Sequence, residues 1–328
     1  MMKTTLTHVA GLCFVATGAI AETSTLTIYT YDGFNSDWGP GPQIEANFEA
    51  ECACDLEFVA AGDGAAVLSR LKLEGANTDA DIVLGLDTNL TADAAATGLF
   101  APSGVTADYD LPIEWSDDTF VPFDLGYFAF VAGKDVEAPT NFRELAASDL
   151  KIVIQDPRSS TPGLGLVLWV EAVYGDDAGS IWADLADNIV TVTPGWSEAY
   201  GLFLEGEADA VLSYTTSPAY HLIAEGDDSK TSWAFEEGHY MQVEVAAKVA
   251  STDVPELADA FLTFMASEGF QSVIPTTNWM YPAVTPAAGL PEGFETLVTP
   301  TTALLLSAED AAAKSGPAID AWRAALAQ

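Results

Sequence analysis

The chain has 328 residues, with 11 Lys+Arg against 49 Asp+Glu and a formal net charge of −38 at pH 7. A balance of that sign excludes nucleic acid as a partner, because phosphate neutralisation needs clustered Lys and Arg. Hydrophobic residues make up 49% of the chain, which excludes a disordered protein, and the length accommodates two domains or lobes. The charge itself says little about a ligand: solubility alone accounts for it, and salt screens steering of cations beyond about 10 Å.

In chain order, residues 1–21 read as an export signal. Lys3 gives a positive start, the apolar stretch 8–20 is too short to span a membrane, and Ala19-Ile20-Ala21 is a small-x-small cleavage site before Glu22. Leu12, directly before Cys13, is too large for lipoprotein processing. Only Cys52 and Cys54 lie beyond the signal. An even pair in an exported protein suggests a disulfide, while the small Cys-x-Cys ring opposes one. A metal site would want a nearby His or third Cys, and neither is present.

The spacing predicts strands at 26–30, 56–60, 81–86, 127–131, 151–155, 189–193, 210–215 and 242–250. Helices are predicted from Pro42 through Phe48, after Asp63-Gly64 (where Val67, Leu68 and Leu71 share a face), and at 162–174, 196–205, 218–224, 255–267 and 308–327. Strands alternating with helices imply an α/β architecture with largely parallel sheets. The segment 118–124 leads out of a first block, and the Pro-rich stretch from about 275 can return to it. The expected organisation is a lobe of 22–122 plus 275–328 and a second lobe of 123–274, hinged about a cleft.

Candidate ligand-binding residues lie on loops at strand ends, where open α/β folds bind ligands. Ser160 and Thr161 precede a helix after strand 151–155, so hydroxyls and free N–H groups converge on a positive helix end. Plain N-capping fits the same residues. Asp63 is either an N-cap or an acceptor for a ligand amine, with Gly64 permitting close backbone approach. Tyr29, Tyr31, Trp38, Trp196, Tyr214, Tyr220, Trp279 and Tyr281 gather at such loops. Each alone could be core; together they suit stacking on a flat ring or facing a cation. Gly195-Trp196-Ser197-Glu198-Ala199 only partly imitates a nucleophile elbow, since Ala199 replaces the last Gly. His221 and His239 read better as structural residues than as bases. Nucleotide-loop, zinc-protease and calcium-loop motifs are absent, which favours binding over catalysis.

The blocks YTYDGFNSDWGPGP at 29–42, DIVLGLDTNL at 81–90, FVPFDLGYFAFV at 120–131, QDPRSSTPGLGL at 155–166, the stretch 195–221 and IPTTNWMYP at 274–282 resemble the periplasmic thiamine-binding proteins of ABC importers, in matching order along nearly the whole chain. The resemblance implies a two-lobed, type II periplasmic-binding fold, each lobe a mostly parallel sheet flanked by helices. It implies a non-enzymatic, monomeric carrier without cofactor. That carrier captures thiamine, thiamine monophosphate and thiamine pyrophosphate and docks on a permease driven by a cytoplasmic ATPase. By the same resemblance Tyr31 and Tyr220 sandwich the aminopyrimidine and Trp279 faces the thiazolium. Asp63, Gly64, Ser160, Thr161 and Tyr214 take polar groups and phosphate, with Trp196 beside them.

Other readings stay open on the residues. A ferric-iron binder could use Tyr214 and Tyr220 phenolates. A polyamine binder would want carboxylates along its cleft. A thiamine-degrading or phosphate-hydrolysing enzyme would need a nucleophile, for which the Cys pair is the nearest candidate.

Overall fold

The structure is a computed structural model that describes residues 24–327; the expected signal segment, with Cys13, lies outside them. Among the described residues no helix is long and apolar enough to cross a membrane. The strands are β1 (Thr25–Thr30), β2 (Asp55–Ala60), β3 (Ile82–Asp87), β4 (Phe100–Ala101), β5 (Val121–Gly133), β6 (Ile152–Gln155), β7 (Ile189–Thr193), β8 (Ala210–Tyr214), β9 (Lys230–Ser232), β10 (His239–Val249), β11 (Tyr281–Pro282) and β12 (Ala303–Leu304). Their main order is β2-β1-β3-β10-β5-β8-β6-β7. β1 pairs in parallel with β2 and β3, and β6 pairs in parallel with β7 and β8.

The two parallel halves share an antiparallel central pair, β5 and β10. Residues Val121 to Tyr127 of β5 pair with β10, and Phe128 to Gly133 pair with β8 and β9. A single strand therefore serves both halves, and the fold is the expected two-lobed one. β5 is longer than the predicted 127–131, because Pro122 argues against a strand yet sits where the ladder shifts register and Phe123 has no partner in β10. A matching shift leaves Gly85 of β3 unpaired with β10, at φ +96°. Asp87, Glu244 and Asp124 stand in one row across β3, β10 and β5.

One core packs Ile28, Phe48, Phe58, Phe123 and Phe261; a larger one includes Phe130, Phe142, Trp169 and Trp182. Helix Thr161–Tyr174 is buried at every position from Thr161 to Val170. It is covered by the sheet on one side and by helix Ala308–Leu326 on the other, which explains its unbroken apolar sequence. Residues 255–274 were expected with the second lobe. Helix Pro255–Phe264 packs instead on β10 and helix Gly41–Cys52, in the first half. Helix Ala308–Leu326, expected with the first lobe, packs on helix Thr91–Ala95 of that lobe and also on helices Thr161–Tyr174 and Ala178–Leu185. The reason is topological: β10 carries the chain back to the first half before residue 255. Predicted helix 218–224 is a short turn, Pro218–Tyr220, continued as a π-helix over His221–Glu225. Cys52 and Cys54 are disulfide-bonded, with Ala53 between them in the left-handed region at φ +51°. Their sulfurs are thus unavailable as nucleophile or metal ligand.

Candidate functional site

The segments after β1 and β2, the end of β8 and the starts of helices Thr161–Tyr174 and Trp196–Leu204 converge on a cleft of about 460 Å³, within the usual range for small-molecule sites. Tyr31, Asp63, Thr161, Trp196, Tyr214, Tyr220 and Trp279 line it. Ser160 and Gly64 lie behind the wall. Ser160 is fully buried, and its hydroxyl donates to Asp63 Oδ2 at 2.6 Å while accepting from Gly163 N. It is thus an N-cap and also a tie between the halves. Asp63 accepts from Gly64 N, as a cap would. A Cβ at Gly64 would lie 2.3 Å from Gly85 O and 2.6 Å from Thr161 Cγ2, so only glycine lets the halves meet there. Ala66 N adds a backbone bond to Ser159 O across the same seam.

Tyr31, Trp38, Trp196, Tyr200, Tyr214, Tyr220 and Trp279 place aromatic rings around the wall. Trp196 stacks on Tyr200 with centroids 4.8 Å apart, and its Nε1 donates to Ser213 Oγ at 2.8 Å. Tyr220 meets Trp279 edge-on at 5.6 Å and donates from its hydroxyl to Glu225 Oε1. Trp279 has φ +56°, a conformation that costs on the order of 1–3 kcal/mol for a bulky residue and clusters at ligand sites. Tyr31 lies over the unpaired Gly85, where a Cβ would sit 2.3 Å from its ring.

The floor is acidic. Glu244 reaches the cleft from β10 and is 6% exposed. Its Oε1 accepts from Gln242 Nε2 and its Oε2 from the Tyr31 hydroxyl. Gln242 Nε2 also donates to Tyr214 OH. The Tyr31 hydroxyl is likewise 3.0 Å from Asn278 Oδ1, and Asn278 Nδ2 donates to Asp124 Oδ2 at 2.6 Å. Burial, then the nearby Asp124, pushes Glu244 well above the usual carboxylate range. Burial pushes Asp124 up to about 8 against the Asn278 bond. It pushes Asp87 up to about 7 against bonds from Asn89 and Leu90. Asp63 is raised by its enclosure, opposed chiefly by Ser160. The Tyr31 and Tyr214 phenols rise well above 10.0 through burial and Glu244.

Sequence reasoning missed Glu244, Asp124 and Asn278. Glu244 alternates with Val243 and Val245 as a solvent-facing residue of a half-buried strand would. The signal against that reading is the length of the surrounding apolar run, since a strand buried on both faces has no solvent side. Both remaining histidines are buried: His239 bonds Phe128 O and Phe235 N, and His221 bonds Tyr200 and Glu225. Ser197 is exposed at the cleft, and neither histidine bonds it.

The family model for bacterial extracellular solute-binding proteins matches residues 40–275. The chain is 52% identical to a thiamine-binding periplasmic protein of Escherichia coli (strain K12), over 97% of this chain and 98% of that one. The chain belongs to the bacterial extracellular solute-binding proteins, among their thiamine-binding periplasmic members. A solved periplasmic thiamin binding protein superposes with a TM-score of 0.91 at 53% identity, covering 93% of this chain and 97% of that one. A ferric binding protein from Campylobacter jejuni shares the fold alone, with a TM-score of 0.75 at 18% identity over 92% of this chain and 99% of that one. The six blocks that carried the resemblance supply every cleft-lining residue predicted from sequence except Asp63, which lies between two of them.

Proposed function

We propose that this solute-binding protein captures thiamine, thiamine monophosphate and thiamine pyrophosphate in the periplasm and delivers them to a membrane permease driven by an ATPase. The observation that carries the reading is a cleft walled by aromatic rings over a buried carboxylate, in a chain half identical to thiamine-binding relatives. Thiamine is flat and bears a fixed positive charge, so rings and a carboxylate suit both of its properties. Tyr31 and Tyr220 are the proposed aminopyrimidine sandwich and Trp279 the ring facing the thiazolium. β5, 13 residues long, pairs with β10 along its first part and with β8 along its second, which makes β5 and β10 the proposed hinge. The seam through Asp63, Ser160 and Gly64 is the proposed contact that forms on closure.

The phosphate esters are assigned to the start of helix Thr161–Tyr174, where Thr161 lines the cleft and the helix end favours an anion. No Lys or Arg lines the cleft, so helix ends such as this one supply its positive potential. A ferric site is disfavoured by the commitment of the Tyr214 hydroxyl to Gln242 and of Tyr220 to Glu225. The carrier acts as a monomer without cofactor and leaves its ligand chemically unchanged.

The test is isothermal titration of residues 22–328, stripped of ligand by unfolding and refolding, with thiamine and its pyrophosphate. One-to-one binding with intact ligand recovered supports the proposal. A folded sample that gives no heat with either form rejects it, and a visible charge-transfer band on adding ferric iron would replace it with the iron reading.

A further inference from the structure

If each contact under the cleft is a separate hydrogen bond, together they need one proton more than the side chains in their ordinary charge states carry. The Tyr31 hydroxyl carries one hydrogen yet lies 3.0 Å from two acceptors, Glu244 Oε2 and Asn278 Oδ1. If Tyr31 donates to Asn278, the contact with Glu244 needs a hydrogen on the Glu244 carboxyl. Turning the Asn278 amide over does not remove the need. Its Nδ2 would then serve Tyr31, Tyr31 would serve Glu244, and Asn278 Oδ1 would face Asp124 Oδ2 at 2.6 Å, where Asp124 must bring the hydrogen. Either arrangement places one proton on the Asp124–Glu244 pair. The two residues are direct partners across β5 and β10, Glu244 is nearly and Asp124 wholly buried, and among the described residues no ion pair includes either.

We propose that Asp124 and Glu244 hold one proton between them in the empty cleft and release it when a positively charged ring enters, so that the cleft selects its ligand by charge. This rests on the thiamine reading and adds the residues that decide which flat molecules are kept. The groups facing the pair are Tyr31 after β1, Asp87 on β3, Tyr214 on β8 and Asp63 at the seam; none supplies a positive charge. Lys248, further along β10, is held by Asp259. The cleft wall adds Asp32, Asp63 and Glu198 and contains no Lys, Arg or His. A fixed cation over Glu244 therefore replaces the proton as the neutralising charge, and the proton passes to solvent. A neutral ring of the same shape leaves the proton in place and gains no ion pair. Burial raises both carboxyls of the pair above their ordinary range, which favours holding a proton there.

The test is calorimetric titration near pH 7 with thiamine and with its neutral analogue, in which a thiophene replaces the thiazolium. Each is run in phosphate and in Tris, whose different ionisation heats report the protons exchanged. The native protein should release about one proton per thiamine and none with the analogue, and should prefer thiamine by at least about tenfold. The two ligands share the aminopyrimidine, so the difference belongs to the ring charge. Glu244→Gln should abolish the release and bring the two affinities within about threefold of each other. Thiamine binding without proton release by the native protein, or an undiminished preference for thiamine in Glu244→Gln, would overturn this inference and leave the carrier function standing. Absence of thiamine binding by the native protein would overturn both. Proton release is read on the native protein, so the test survives a variant that fails to fold.

Discussion

Gly85→Ala tests the link between backbone geometry and ligand capture at a position that bears no functional group. Gly85 sits at φ +96°, in the region L-residues avoid, and on the order of 1–3 kcal/mol of backbone strain follows from any side chain there. An added Cβ would also lie 2.3 and 2.6 Å from two carbons of the Tyr31 ring, closer than carbon atoms approach. Relief by moving the ring costs about 1–3 kcal/mol more, typical of overpacking. The expected loss is therefore about 2–6 kcal/mol, a large share of a stability on the order of 5–15 kcal/mol. The displaced Tyr31 would also lose its bonds to Glu244 and Asn278, so thiamine affinity should fall at least about tenfold even where the fold survives. Urea denaturation of the empty protein measures the first effect and calorimetric titration at low temperature the second. Gly179→Ala is the control, since that helical glycine has open space around its Cβ position, and its stability should stay within about 1 kcal/mol. A Gly85→Ala protein as stable as this control, with native affinity, would refute the reasoning.

Tyr220→Ala should weaken thiamine at least about tenfold without unfolding the protein, because its ring is part-exposed at the cleft wall; unchanged affinity in titration would remove Tyr220 from the sandwich. Ser160→Ala should weaken the phosphate esters more than thiamine. Equal losses in parallel titrations would confine Ser160 to its bond with Asp63. The empty protein should lose stability as pH rises from about 4 to about 8. Asp87 and Asp124 keep protons in the folded state up to about 7 and about 8, while the unfolded chain gives them up near 3.8, so folding is favoured on the acid side of that window. Asp87→Asn should flatten the fall in melting temperature between about pH 4 and 7, and an unaltered slope would count against a protonated Asp87.

Most of the framework was legible because its signals are local. Helix starts at Thr161 and Trp196 follow Ser160 and Gly195, and β1, β3, β6 and β7 are short apolar runs bounded by turns. The aromatic wall was legible for the same reason: its members lie at strand ends. What stayed hidden depends on pairing between distant segments. The acidic row exists only because β10 inserts between β3 and β5, bringing Glu244 level with Asp87 and Asp124. Within ten residues of Glu244 only the length of the apolar run around it sets it apart from a surface carboxylate. Asn278 is hidden likewise, since its partners are Tyr31 and Asp124. The docking of Ala308–Leu326 across both halves was not readable from a helix whose buried residues are Ala311, Ala318, Ala325 and a single large one, Trp322.

The insertion of β10 between β3 and β5 also sets an order of events in time. Ile82 pairs with Lys248, and Asp87 with Glu244, so the first parallel half has an unfinished inner edge until residues near 249 are available. Its aromatic core lacks Phe261, Phe264 and Phe270 until later still. Contacts of such sequence separation make folding slow. For a chain expected to leave the cytoplasm as a thread, that delay is useful: the amino-terminal third cannot lock into a stable domain while the rest is being synthesised. The same central strands that join the halves of the finished molecule delay the locking of the amino-terminal part of the growing chain.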